Sequence, residues 1–144
     1  MISLIICSVN PEFLRNIQEN IMDTVAIPYE ILAFDNSQNS YKIADVYNSQ
    51  ALKANFDSLV FLHAALKFHT QGWGNLLIET LNKEDVGLVG ICGGKYYPDL
   101  PCSWIDIPHE LRRASMINQS FGKYVDYDLR DNSEYYLSDT KTLD

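Results

Sequence analysis

Short apolar runs alternate along this chain with segments of helical period, and that alternation narrows the folds open to it more than any other feature. The first run, residues 2–9, is almost continuously apolar (ISLIICSV). A strand without polar alternation is one buried on both faces, as in a parallel sheet. Asn10-Pro11-Glu12 follows. Asn suits a helix cap, Pro the first helical position, and Glu the positive end of the helix dipole, so a helix is predicted to start there. Phe13, Leu14, Ile17, Ile21 and Val25 recur at helical spacing, and Pro28 closes the segment. A second strand is predicted over 29–34 (YEILAF), ended by the polar turn Asp35-Asn36-Ser37. Beyond it the pattern predicts a helix over 41–55, with Ile43, Val46, Tyr47 and Ala51 inward, and a short strand over 59–62. A helix over 73–82 with Trp73, Leu76, Leu77 and Leu81 on one face comes next, then a fourth strand over 86–91 (VGLVGI) that leads to Gly93-Gly94-Lys95.

The order β-α-β-α-β-α-β implies an α/β fold in three layers, with a mostly parallel sheet and right-handed crossovers. Ligands on such sheets bind outside the carboxyl ends of the strands, near a topological switch point. Those ends carry Ser8 and Asn10, then Asp35 and Asn36, then His63, then Gly93 and Gly94. The stretch 96–113 is rich in proline and aromatic residues and reads as an ordered loop. The stretch 121–139 is polar and tyrosine-rich, with room for one or two edge strands.

A length of 144 residues suits one domain with a real core. The net charge of -8 and the absence of any Lys/Arg-rich run argue against a nucleic-acid partner, which needs clustered cations to displace counterions. A small phosphorylated ligand held by backbone N–H groups is compatible with the charge. The three cysteines, Cys7, Cys92 and Cys102, are odd in number and have no CxxC spacing, so neither a disulfide framework nor a zinc cluster is expected. The first ten residues lack a basic leader and are too short to span a bilayer. A cytoplasmic protein without a transmembrane segment is the expectation.

Taken together, "ISLIICSVN", "YEILAFDNSQN", "IADVYNSQALKA", "SLVFLH" and "VGLVGICGGKYYP" resemble, in order and spacing, the donor-binding half of a GT-A glycosyltransferase of the family 2 type. The resemblance covers about residues 2–104 and leaves an irregular tail, 105–144. It implies a Rossmann-like nucleotide-sugar-binding fold, a nucleotide-diphospho-sugar donor of UDP or dTDP type, and transfer to an unknown acceptor with inversion. Within the family the pattern is closest to a bacterial branch whose metal strand reads Leu-His-x-Asp.

Carried over by position, the resemblance implies a donor site of Cys7, Ser8, Val9, Asp35, Asn36, Asn48, His63 and Lys95. Asp35 would accept a hydrogen bond from N3–H of uracil or thymine, which suits an ionised carboxylate. Asp-Asn-Ser equally closes a turn on its own backbone. Cys7 to Val9 would line the base pocket through backbone atoms, whereas Cys7 and Cys92 also read as small core residues. Asn10 reads as a helix cap more than as a ligand contact, and Asn48 is either a donor contact or an ordinary helical asparagine. His63 is either part of the site or a strand-end histidine bonded to backbone.

The family's acidic metal motif falls on His63-Ala64-Ala65. Mg²⁺ and Mn²⁺ take carboxylate oxygens, which alanine lacks, so no metal ligand is assigned here. Charge on a departing diphosphate would then fall to Lys95 or to backbone N–H groups near Gly93-Gly94. The resemblance sets the catalytic base beyond the donor half, and the closing "DTKTLD" resembles the approach to that segment, so the base is expected to be missing. Asp106, Glu110, Asp126 and Asp128 read as solvated acids. Three readings stay open: a glycosyltransferase, a non-catalytic relative that binds a nucleotide, sugar or protein, and an unrelated flavodoxin-like domain.

Overall fold

The computed structural model describes residues 1–94, 103, 108, 111–120 and 123–128. The chain forms two compact units, Met1–Asn82 and Lys83–Asp144.

In the first unit, strand β1 (Ile2–Ser8) is buried at every position and lies in the middle of a three-stranded sheet of order β2-β1-β3. Strand β2 (Tyr29–Asp35) pairs with it in parallel from Ile2↔Tyr29 to Ser8↔Asp35. Strand β3 (Leu59–His63) pairs in parallel on the other side, from Ser3↔Leu59 to Cys7↔His63. The continuous apolar run is thus explained by a strand with neighbours on both edges and helices on both faces.

Helix α1 (Pro11–Thr24) starts where Asn10 caps it, Oδ1 accepting from Glu12 N at 2.8 Å and Phe13 N at 3.3 Å. It ends at Val25, and Ala26 turns the chain with a left-handed φ of 58°. Ile2, Leu4 and Ile6 of β1 form one core with Ile17, Ile21, Val25, Leu62, Ala64 and Trp73. That core places α1 and helix α3 (Trp73–Leu81) on one face of the sheet. Helix α2 (Ile43–Ala51) covers the other face, where the Tyr47 ring lies 5.2 Å from that of Phe61.

Several expectations are corrected. Helix α2 is shorter than 41–55, and Ile43 at its start is exposed, while Val46 is its buried anchor. Phe13 and Leu76 are also exposed, because the buried stripes of α1 and α3 are narrower than their apolar patterns. Residues 86–91 form no strand, and Leu88 is 78% exposed. Gly87 and Gly90 deprive that run of the side chains a strand needs to pack. The second unit instead builds an antiparallel sheet from β4 (Cys92–Gly94), β5 (Arg112–Ser120) and β6 (Lys123–Asp128), in that order. Strand β5 has a polar sequence without alternation, and only its pairing with β4 and β6 marks it.

At the amino end of the first sheet, fully buried Ser3 donates its hydroxyl to Glu30 Oε1 at 2.6 Å and accepts from Phe56 N at 3.2 Å. Asn55 donates to the same carboxylate from its backbone N at 2.6 Å and its Nδ2 at 2.7 Å. The Ser3 hydroxyl, then the Asn55 backbone and side-chain N–H groups, hold the Glu30 carboxyl below its ordinary value. A carboxylate with a depressed folded-state pKa stabilises fully above its unfolded value, 4.5, and loses that contribution as pH falls through the lower folded one. Glu30→Gln should therefore be less stable than the parent at neutral pH, and the gap should close in acid. Urea melts across that range check it, and a gap independent of pH would contradict it.

Candidate functional site at the carboxyl rim of the first sheet

The path from β1 through α1 to β2 runs one way across the sheet, and the path from β2 through α2 to β3 crosses back over β1. The winding therefore reverses at β1 and β3, and a crevice opens at the carboxyl ends of strands at such a point. The register sets Ser8 beside Asp35 and Cys7 beside His63 along that rim. Neighbouring strands lie about 4.8 Å apart, so the three strand ends form one short row. By the alternation of strand side chains, Ser8 and Asp35 share the α1 and α3 face, and Cys7, Phe34 and His63 share the α2 face.

Most polar groups of the rim are first of all committed to shaping it. Buried Ser8 donates its hydroxyl to Asn10 O at 2.7 Å and accepts from Asn10 N at 3.2 Å, which fixes the β1–α1 turn. Val9 is exposed at the tip of that turn. Asn10 serves as the cap already described. Buried Asn36 accepts from Ser40 N and Tyr41 N through Oδ1, at 3.1 and 3.2 Å, and donates from Nδ2 to Tyr41 O at 2.9 Å. Its backbone N donates to Ser8 O at 2.7 Å, which ties the loop after β2 to the end of β1. The Asn36 side chain is thus the pin of its own loop.

Asp35 is exposed, and its Oδ1 accepts from Ser37 N at 2.8 Å. The backbone N–H of Ser37, followed by its side chain, holds the carboxyl below its usual range. The turn role is therefore present, and it leaves an ionised carboxylate facing water at the rim. Asn48 is exposed on α2. His63 is exposed, with Nδ1 accepting from Ala65 N at 3.1 Å and its carbonyl accepting from Leu66 N at 3.1 Å. Lys95, Asp106 and Glu110 lie outside the described residues. Gly93 and Gly94 belong to β4 of the second unit, as Asp126 and Asp128 belong to β6.

Tyr47 is the rim residue whose contact the sequence pattern concealed. Its hydroxyl donates to Leu62 O at 3.1 Å, so α2 holds the end of β3. Burial, then the neighbouring Cys7 thiol, push the phenol above its ordinary range. An inward aromatic in a helix reads as core, and only its tilt onto a strand carbonyl reveals the added function.

A divalent cation needs several oxygen ligands. Ala64 is buried and Ala65 exposed, and neither offers one. Among the described residues no three His, Cys, Asp or Glu side chains come together in a way that could hold a metal ion. The described residues of this rim therefore do not fit the metal that the family pattern implies. Because Ala65 is already in water, Ala65→Asp should leave stability nearly unchanged and supply a missing carboxylate. Calorimetry should find UDP bound about tenfold more tightly with Mn²⁺ than with EDTA in that variant, with no such gain in the parent. Equal metal dependence in both would contradict this.

An open parallel sheet of three strands with helices on both faces defines a Rossmann-like α/β domain, consistent with the GT-A fold. A model of the Glycosyltransferase like family matches residues 3–144, and the chain belongs to that family. The match supports a glycosyltransferase domain of the family 2 type. No curated protein and no solved structure matches the chain. No helix among the described residues is long and apolar enough to cross a membrane.

Proposed function

We propose that this domain binds a nucleotide-diphospho-sugar of UDP or dTDP type at the carboxyl rim of β1, β2 and β3 and transfers its sugar to an acceptor. The observation that carries the reading is the row of strand ends at the switch point, with ionised Asp35 beside Ser8 and His63 beside Cys7. In this reading Asp35 accepts N3–H of the base, and the backbone of Cys7, Ser8 and Val9 lines the base pocket. Asn36 shapes the loop, and Asn48 and His63 face the remainder of the donor; the resemblance adds Lys95, which lies outside the described residues. Transfer inverts the anomeric centre, as the family resemblance implies. The chain acts as a single GT-A-like domain of a bacterial, cytoplasmic protein, with its donor-binding half at about residues 2–104, and that location is compatible with the free thiol of Cys7.

A second reading is favoured by Ala64 and Ala65 at the metal position: a relative that binds the nucleotide or sugar without turnover. Thermal melts with UDP, dTDP, GDP and CMP, each with and without Mn²⁺, test the shared part of both. A ligand that binds only the folded state raises its melting temperature. UDP or dTDP should raise it and GDP and CMP should not; no shift with any of them would overturn nucleotide binding and leave a non-catalytic relative that binds a sugar or protein, or an unrelated domain. Release of UDP from a UDP-sugar, measured on the same protein, then separates transferase from binder.

A further inference from the structure

The imidazole of His63 is presented in one orientation by its surroundings. Its Nδ1 is the acceptor for Ala65 N–H at 3.1 Å. In a neutral imidazole one nitrogen accepts and the other carries the proton, so this bond assigns the proton to Nε2. The residue is exposed, and Nε2 has no hydrogen-bond partner among the described residues. The backbone that carries it is tied on both sides, by Tyr47 hydroxyl to Leu62 O at 3.1 Å and by Leu66 N to His63 O at 3.1 Å. The ring therefore offers one N–H donor from a fixed turn, at the strand end that pairs with Cys7 beside the switch point.

The neighbouring positions offer no competing group. Ala65 is exposed and has no side-chain donor or acceptor, and Ala64 is turned into the core. An anionic ligand seated in the crevice would thus meet, at this end of the row, an oriented N–H. Asp35, the acceptor, stands at the end of β2 on the far side of β1. A donor at one end and an acceptor at the other suit a ligand with an anionic part and an N–H-bearing part, which is the polarity of a nucleoside diphosphate.

We infer that His63, through Nε2–H, hydrogen-bonds the diphosphate of the bound nucleotide, beside Ala65, where the family pattern would set a metal-binding carboxylate. This inference rests on the donor-site reading above. A neutral N–H to a phosphate oxygen is a charge-assisted bond, and its loss corresponds to roughly tenfold in affinity.

The experiment uses the full chain in EDTA, with UDP and uridine as probes. His63→Ala removes the ring. His63→Asn keeps an oxygen able to accept from Ala65 N–H, as Asn does in Asx turns, but has nothing that reaches the position of Nε2. Both variants should bind UDP about tenfold more weakly than the parent and bind uridine unchanged, with melting temperatures confirming that they are folded. Long-range ¹H–¹⁵N spectra of the parent should find the proton on Nε2 and should show that signal moving with UDP and not with uridine. UDP affinity unchanged in His63→Asn, an equal loss for uridine, or the proton on Nδ1 would each overturn the inference. UDP binding indifferent to His63 would overturn it alone, whereas a parent that binds no UDP would overturn the donor-site reading with it.

Discussion

Trp73→Ala should destabilise the protein by about 3–5 kcal/mol, the range for removing a buried tryptophan. The indole is only 8% exposed and stacks on Phe68 with ring centres 4.1 Å apart and planes within 7°. Its Nε1 donates to Thr24 Oγ1 at 3.0 Å, and that hydroxyl donates in turn to Asn20 O at 2.7 Å. Asn20 grips Phe68 twice, accepting from its N at 2.6 Å and donating to its O at 3.0 Å. One ring thus joins the end of α1, the loop after β3 and the start of α3. Glycines let the helix come this close. Gly72 caps α3 with a left-handed φ of 71°, and a Cβ on Gly74 would sit 2.5 Å from Val25 O. Gly74→Ala should accordingly cost about 1–3 kcal/mol by overpacking. Urea titrations followed by circular dichroism measure both, and a loss below about 1 kcal/mol for Trp73→Ala would contradict the packing described here.

Asp35→Ala should weaken UDP binding roughly ten- to a hundredfold, because its carboxylate reads the base. Ser37 holds that carboxyl ionised, so the acceptor is present at neutral pH and is lost only as pH falls through its lowered pKa. The Asx turn to Ser37 complicates the alanine variant, because it disappears as well. Asp35→Asn separates the two roles. Its oxygen can keep the turn, and its amide would then offer a donor where the carboxylate offered an acceptor. That variant should lose UDP and gain relative affinity for CDP, whose N3 is an acceptor. Calorimetry with both nucleotides measures the exchange, and equal losses for UDP and CDP would assign Asp35 to the turn alone.

The first unit was largely legible because its signals are local. A continuous apolar run of strand length ended by Asn-Pro suits a doubly covered strand, and Asn10-Pro11-Glu12 is a helix start on its own chemistry. The rim followed from the same reading, since strand ends in a parallel sheet fall in a row whatever their partners. Legibility failed where pairing decides. Residues 86–91 are apolar enough for a strand but carry two glycines, and the polar β5 is a strand by virtue of its neighbours. The supporting bonds of the site were equally hidden. Nothing in the spacing of Tyr47 announces that its hydroxyl reaches Leu62 O, nor in that of Asn36 that it pins residues 40 and 41. Such roles depend on distances across elements, which a linear pattern does not carry.

The claim that the rim of β1, β2 and β3 is a nucleotide site reduces to one titration: UDP into the full chain, by calorimetry, in the presence of EDTA. The account predicts saturable binding of one UDP per chain without added metal, abolished or strongly weakened by Asp35→Ala. Heat of dilution alone, or binding that appears only when Mn²⁺ is supplied, would contradict it.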